Sequence, residues 1–160
     1  MIIHDKSELL FLPEFGQVMQ TLEIVSDLSQ LNRVRSFVKT ILKDFHPSEK
    51  DFYIIELSLL EICINIIRYA YPRQKGQIRI SSWKKDHKIF FEIQDDGQPF
   101  DPRKAKKPDI SEIIKSGKKG GLGVFLTREL MDGFEYRRKG SQNILTLSKT
   151  IKPEISDSSN

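Results

Sequence analysis

From Asp51 to Tyr71 the chain reads DFYIIELSLLEICINIIRYAY, a helix-length run that is apolar on almost every face. Such a helix has no stable place on a surface, so it must be central and enclosed by other elements. Pro72 ends it, since proline lacks the amide hydrogen needed to continue. The few polar residues are not scattered. Ser58, Glu61, Asn65 and Arg68 follow steps of three, four and three, which places them within roughly 80° of one another around the helix. A solvated stripe is the ordinary explanation for such a pattern. Here Asn65 is a poor helix former that gains nothing on a plain surface, and Glu56 already marks the opposite side. The stripe is therefore read as functional.

The segments around this helix predict one architecture. From Met19, MQTLEIVS alternates as a strand, and Leu28, Leu31, Val34, Phe37, Val38, Ile41, Leu42 and Phe45 then recur at helical spacing behind a serine or aspartate cap. Ser48 or Pro47 opens the central helix. GQIRISSWKK and HKIFFEIQD read as an antiparallel pair. Residues 96–119 are too long for a plain connection and hold Pro99, Pro102 and Pro108, with one short helix expected at ISEIIKS. Gly120, Gly121 and Gly123 open a third helix, LGVFLTRELM, and two strands follow, FEYRRKG and NILTLSKTI. In the N-terminal segment, ELLFLPEF is apolar enough for a strand, but Pro13 would confine it to a sheet edge. The order predicts an α+β two-layer sandwich: a mostly antiparallel mixed sheet with helices on one face. Residues 1–18 are expected to be an extension, 19–152 the domain and 153–160 a disordered tail.

Composition removes several function classes. A chain of 160 residues suits one domain with a single core. The net charge of +4, from 26 basic and 22 acidic side chains, is too weak to indicate DNA. RKAKK at 103–107 and KSGKK at 115–119 carry no aromatics of the kind that stack on bases, so a nucleotide phosphate is a better partner than a nucleic acid. The single cysteine, Cys63, excludes an intrachain disulfide and a cysteine-built metal site. The opening MIIHDKSELLFLPEF lacks the order of a signal peptide and is too interrupted for a membrane span, so a cytoplasmic protein is expected.

Three motifs carry the chemistry. The first is Glu61-x-x-x-Asn65, a carboxylate and a carboxamide one turn apart. These can divide a phosphoryl-transfer task, because the amide oxygen is a hard ligand for Mg2+ and the carboxylate can accept a proton from an attacking hydroxyl. The second is DDGQPFDP, where a strand stops on Asp95, Asp96 and Gly97. A surface turn would explain it equally well. The third is KKGGLGVFLTREL, which lacks the lysine and hydroxyl pair of a P-loop but leaves bare amides and a helix N-terminus facing forward, an arrangement that suits phosphate oxygens.

In this order the three motifs resemble the N box and G boxes of the ATP-binding fold shared by gyrase B, heat-shock chaperone ATPases, sensor histidine kinases and MutL, the GHKL or Bergerat superfamily. Within it, ELSLLEICINIIRYAYP, DDGQPFDP and GGLGVFLTRELMDGFEYRRKGSQNILTLSK resemble the small anti-sigma-factor serine kinases of the RsbW type over about residues 19–151. The resemblance implies ATP and Mg2+ as cofactors, with Asn65 on the metal and phosphates, beside Arg68, and Glu61 as general base. Asp95 would read the adenine amino group, and Gly97 would let the chain pass close to the base. Gly120, Gly121 and Gly123 would line the phosphates, and residues 101–119 would form a lid from which Lys115, Lys118 and Lys119 reach the terminal phosphate. Many members have Gly-Thr at the start of the last strand, where this chain reads Gln142-Asn143. An asparagine can still hydrogen-bond there.

The implied activity is that of a regulatory serine/threonine protein kinase in a partner-switching pathway. Its partners would be a small anti-sigma-factor antagonist, phosphorylated on serine, and a sigma factor or other output protein. A homodimer is possible; no nucleic acid or membrane is implied. The alternative is a non-catalytic ATP-binding module acting by sequestration, against which the presence of Glu61 argues. A histidine kinase catalytic domain is disfavoured because no phosphoacceptor hairpin precedes the motifs.

Overall fold

Six strands form one antiparallel sheet in the structure, a computed structural model that describes residues 10–12, 17–117 and 122–152. They are β1 (Leu10–Leu12), β2 (Gln17–Val25), β3 (Gln77–Lys85), β4 (Lys88–Asp95), β5 (Gly133–Lys139) and β6 (Gln142–Thr150). Five of them make the main sheet, in the order β2-β3-β4-β6-β5, and β1 extends it at the β2 edge. Two tight hairpins fix the register of two of the five strand pairings. Asp86 and Gly140, at φ 56° and 59°, supply the left-handed residue that returns β3 onto β4 and β5 onto β6.

The helices are α1 (Leu31–Leu42), α2 (Glu49–Tyr69), α3 (Ile110–Ser116) and α4 (Leu122–Leu130). Asp27 caps a 3-10 turn that leads into α1, its carboxylate accepting from the Ser29 amide at 2.9 Å. Ser48 caps α2 by accepting from the Asp51 amide at 3.1 Å. As its composition requires, α2 is the central helix. It packs against both α1 and α4, and Ile55, Leu59 and Cys63 meet the inward residues of the sheet in a single core.

The sheet has one buried and one open face. Along β4, Ile89, Phe91, Ile93 and Asp95 turn inward, while Lys88, Phe90, Glu92 and Gln94 turn outward. Among the described residues, the outer face carries contacts between its own side chains. Trp83 stacks on Phe90 at 5.2 Å, Arg79 bonds Glu23 at 2.8 Å and Arg137 reaches Glu92 at 3.2 Å. The α+β sandwich with helices on one face is thus present, and every strand pairing among the described residues is antiparallel.

Part of the segment expected as an extension belongs to the sheet. β2 begins at Gln17, and Leu12 pairs with Gln17 so that β1 occupies the edge position that the proline argument allows. Residues 153–160 lie outside the described residues. No described helix is long and apolar enough to cross a membrane.

Candidate functional site

The inward series of β4 ends on a charge. Asp95 takes the next core-facing position after Ile93 and is only 6% exposed. Its neighbours across the sheet are Ile78 on β3 and Asn143 on β6. The Asn143 Nδ2 donates to Asp95 Oδ1 at 2.9 Å, and the Gly97 amide donates to the same oxygen at 2.9 Å. Oδ2 has no hydrogen bond among the described residues. Burial pushes the Asp95 carboxyl above the usual carboxylate range, with the bonds from Asn143 and Gly97 pulling the other way.

Asp95 stands in a cleft between the C-terminal half of α2 and the sheet. Ile62, Asn65 and Tyr69 of α2 form one side, Ile93 and Leu145 the sheet side, and Phe100 with Pro102 the mouth. Mostly apolar walls around one buried carboxylate suit a flat heteroaromatic ring that presents an N–H donor.

The turn that follows Asp95 is tied to the end of α2. A methyl group at Gly97 would overlap the Cβ and carbonyl of Ala70, so only glycine allows this approach. Next along the chain, the Gln98 amide donates to the Ala70 carbonyl at 2.8 Å. The Tyr71 hydroxyl accepts from the Asp96 amide at 2.8 Å and donates to the Gln77 carbonyl at 3.1 Å. The close approach that Gly97 permits in the structure is therefore to the helix end.

The polar stripe of α2 runs as a seam from core to rim. Ser58 is 1% exposed, Glu61 and Asn65 are half-buried, and Arg68 is exposed. Glu61 faces the first turn of α4, where a methyl at Gly123 would overlap its carboxylate. Thr127 holds that turn by donating to the Gly123 carbonyl at 2.9 Å. Asn65 lines the cleft and Arg68 does not. The structure thus brings Glu61, Asn65, Asp95, Gly97, Gly123 and Asn143 to one region. Lys118, Lys119, Gly120 and Gly121 lie outside the described residues, and Lys115 is exposed on α3.

Residues 101–117 are anchored where they leave the cleft. Arg103 forms two bonds to the Asp101 carboxylate, at 2.9 and 2.8 Å, and its guanidinium holds that carboxyl below the usual range. The same guanidinium lies 5.5 Å from the centre of the Tyr136 ring, and Arg128 donates to the Arg103 carbonyl at 2.8 Å. Sequence reasoning missed Tyr136, Arg138 and Tyr71. The tight β5–β6 turn places Arg138 opposite Asn143, which was a usable signal; nothing local marks Tyr71.

The donor set fits the group that the motifs imply. Among the described residues no cluster of three His, Cys, Asp or Glu side chains could cage a metal ion. The oxygens of Asn65 and Glu61 are hard donors of the kind that supplement Mg2+ held mainly by phosphates and water.

Comparison with known proteins is decisive for the family. Residues 24–149 match the model of the histidine kinase-like ATPase domain. The chain belongs to that family. Among members of this histidine kinase-like ATPase family, the serine-protein kinase RsbW of Halalkalibacterium halodurans is 30% identical over 128 residues, covering 78% of each chain. RsbW of Bacillus thuringiensis is 28% identical over 108 residues, 65% of this chain and 67% of the relative. The crystal structure of the RsbU and RsbW domains of a Mycobacterium tuberculosis protein matches with a TM-score of 0.56 at 16% identity, covering 82% of this chain and 32% of that one. That structural likeness shows the fold alone, and it agrees with the family.

Proposed function

We propose that the protein binds ATP with Mg2+ and transfers the terminal phosphoryl group to a serine of a small antagonist protein, alternating this with sequestration of a sigma factor or other output protein in the cytoplasm. The observation that carries the reading is the placement of Glu61 and Asn65, one turn apart on the same seam, beside a cleft that holds the buried Asp95. Relatives named as serine-protein kinases support it.

In this reading Asp95 accepts a hydrogen bond from the base amino group, and the apolar walls exclude water from the base. Asn65 offers its amide oxygen toward the metal and the phosphates. Bound Mg2+ would neutralise charge on the phosphate oxygens as the phosphoryl group moves. Glu61 takes the proton of the attacking serine hydroxyl, and ADP departs once the bond to the terminal phosphorus has broken. Positioning and electrostatics then supply most of the catalysis, as is usual for this reaction. Gly123 lets α4 approach closely enough to keep Glu61 turned toward that reacting centre.

The test is to incubate the protein with terminally labelled ATP and the small candidate antagonists encoded beside it. Label should appear on one of them and vanish when its acceptor serine is replaced by alanine. ATP binding without transfer to any candidate would leave a sequestration module in its place.

A further inference from the structure

The amide of Asn143 is held at both ends. On one side Nδ2 faces three acceptors: Asp95 Oδ1 at 2.9 Å, and the carbonyls of Gly97 and Gln98 at 3.3 Å each. On the other side Oδ1 accepts from the Tyr136 hydroxyl at 2.8 Å and from the Arg138 guanidinium at 2.7 Å. Asn143 is 6% exposed, so none of these bonds is replaced freely by water.

Arg138 is unusual among its neighbours. Arg137 pairs with Glu92 and Arg103 with Asp101, whereas no carboxylate pairs with Arg138 among the described residues. Its described partner is the Asn143 carbonyl, directly opposite it in the β5–β6 register. A charged donor spent on a neutral amide polarises that amide, and the polarised N–H then faces Asp95.

We propose that Tyr136 and Arg138 are positioning residues for base recognition: by holding the Asn143 carbonyl they commit its N–H2 to Asp95 Oδ1 and to the loop after it, leaving Oδ2 as the acceptor for the amino group of the purine. This rests on the ATP-binding reading and deepens it. Asn143 acts through Asp95, and the two β5 residues act through Asn143. The arrangement selects for a 6-amino purine. A 6-oxo purine would place an acceptor against a carboxylate whose other oxygen is already bonded.

The test uses the full chain with Tyr136→Phe and, separately, Arg138→Met. Calorimetric titration with ATP and with ITP gives the selectivity. Hydrogen exchange of the Asn143 side-chain amide, followed by NMR in the nucleotide-free protein, gives a readout that needs no ligand. Either variant should raise the ATP dissociation constant about fivefold to tenfold, leave the weak ITP binding unchanged and speed exchange of the Asn143 amide. Unchanged ATP affinity and unchanged exchange would overturn the proposal. So would equal losses for ATP and ITP, since these mean general damage rather than lost positioning. A parent protein that binds neither nucleotide would defeat the ATP reading, and the exchange rates would still decide whether Tyr136 and Arg138 hold the amide.

Discussion

Glu61 and Asn65 are separated by one helical turn and by their chemistry, so they should fail differently when altered. Glu61→Gln keeps size and hydrogen-bonding capacity but removes the base; ATP should still bind while transfer slows by roughly a hundred-fold or more, the usual scale of general base catalysis. Asn65→Ala removes the oxygen proposed to face the metal and should weaken binding of ATP with magnesium as well as abolish transfer. Calorimetry and a labelled-ATP assay on both variants check this, and equal loss of binding in the two would make the seam structural. At this scale much of the site was legible. Helical arithmetic placed Glu61 and Asn65 together, whereas the residues around Asp95 left a surface turn open, and its core-facing position behind Ile93 is a finding of the structure. Asn143 was legible only as a hydrogen-bonding residue. Its bond to Asp95 depends on the β4–β6 register, which joins residues 48 positions apart and leaves no local trace.

Among the elements, α2 was the most legible, because a helix that is apolar all round and capped by serine has one place to go. The segment from Asp101 to Gly117 was legible as a long loop with a short helix, and α3 lies at ISEIIKS. What the sequence hid is the anchor. Arg103 is pinned by its near neighbour Asp101 and by Tyr136 and Arg128, the last two from separate later parts of the chain. The anchor changes where a protease should cut. Trypsin needs an extended, accessible backbone, so Arg103, bound in its 3-10 turn, should be a slow site, whereas Lys106 in the exposed stretch before α3 should be a fast one. Lys107 is protected by Pro108. If this segment closes over bound nucleotide, cleavage after Lys106 should slow with ADP and slow further with a non-hydrolysable ATP analogue. Mass spectrometry of the first fragments reads both points, and early cleavage after Arg103 or equal rates in all three states would refute the anchored lid.

For the whole molecule, hairpin chemistry revealed two of the five strand pairings, since the β3–β4 and β5–β6 pairs are adjacent in sequence. The central β4–β6 pairing was not legible, because a long loop, α3, α4 and β5 intervene. That pairing builds the site, and it places an ionisable group where burial opposes its charge. Asp95 has a raised pKa in the fold, so its contribution to stability is full below the unfolded carboxylate value and is lost as pH rises through the folded one. Above that raised value a charged Asp95 works against folding in the free protein, while in the proposed reading the base amino group needs that same charge as its acceptor. Asp95→Asn retains an oxygen that can accept from Asn143 and from the Gly97 amide, and removes the charge. Its melting temperature without nucleotide should equal or exceed that of the parent. ATP at a hundred times its dissociation constant should stabilise the parent by about 2.7 kcal/mol, a rise of roughly 5–10 °C for a domain of this size. That rise should be nearly absent in Asp95→Asn at any pH. In the parent it should shrink as pH falls toward the raised Asp95 value, before ordinary exposed carboxylates titrate, even though the free protein gains from protonation of Asp95 over the same interval. Differential scanning calorimetry with and without ATP over a descending pH series separates the two effects, and an undiminished ATP-dependent rise in Asp95→Asn would show that another group reads the base.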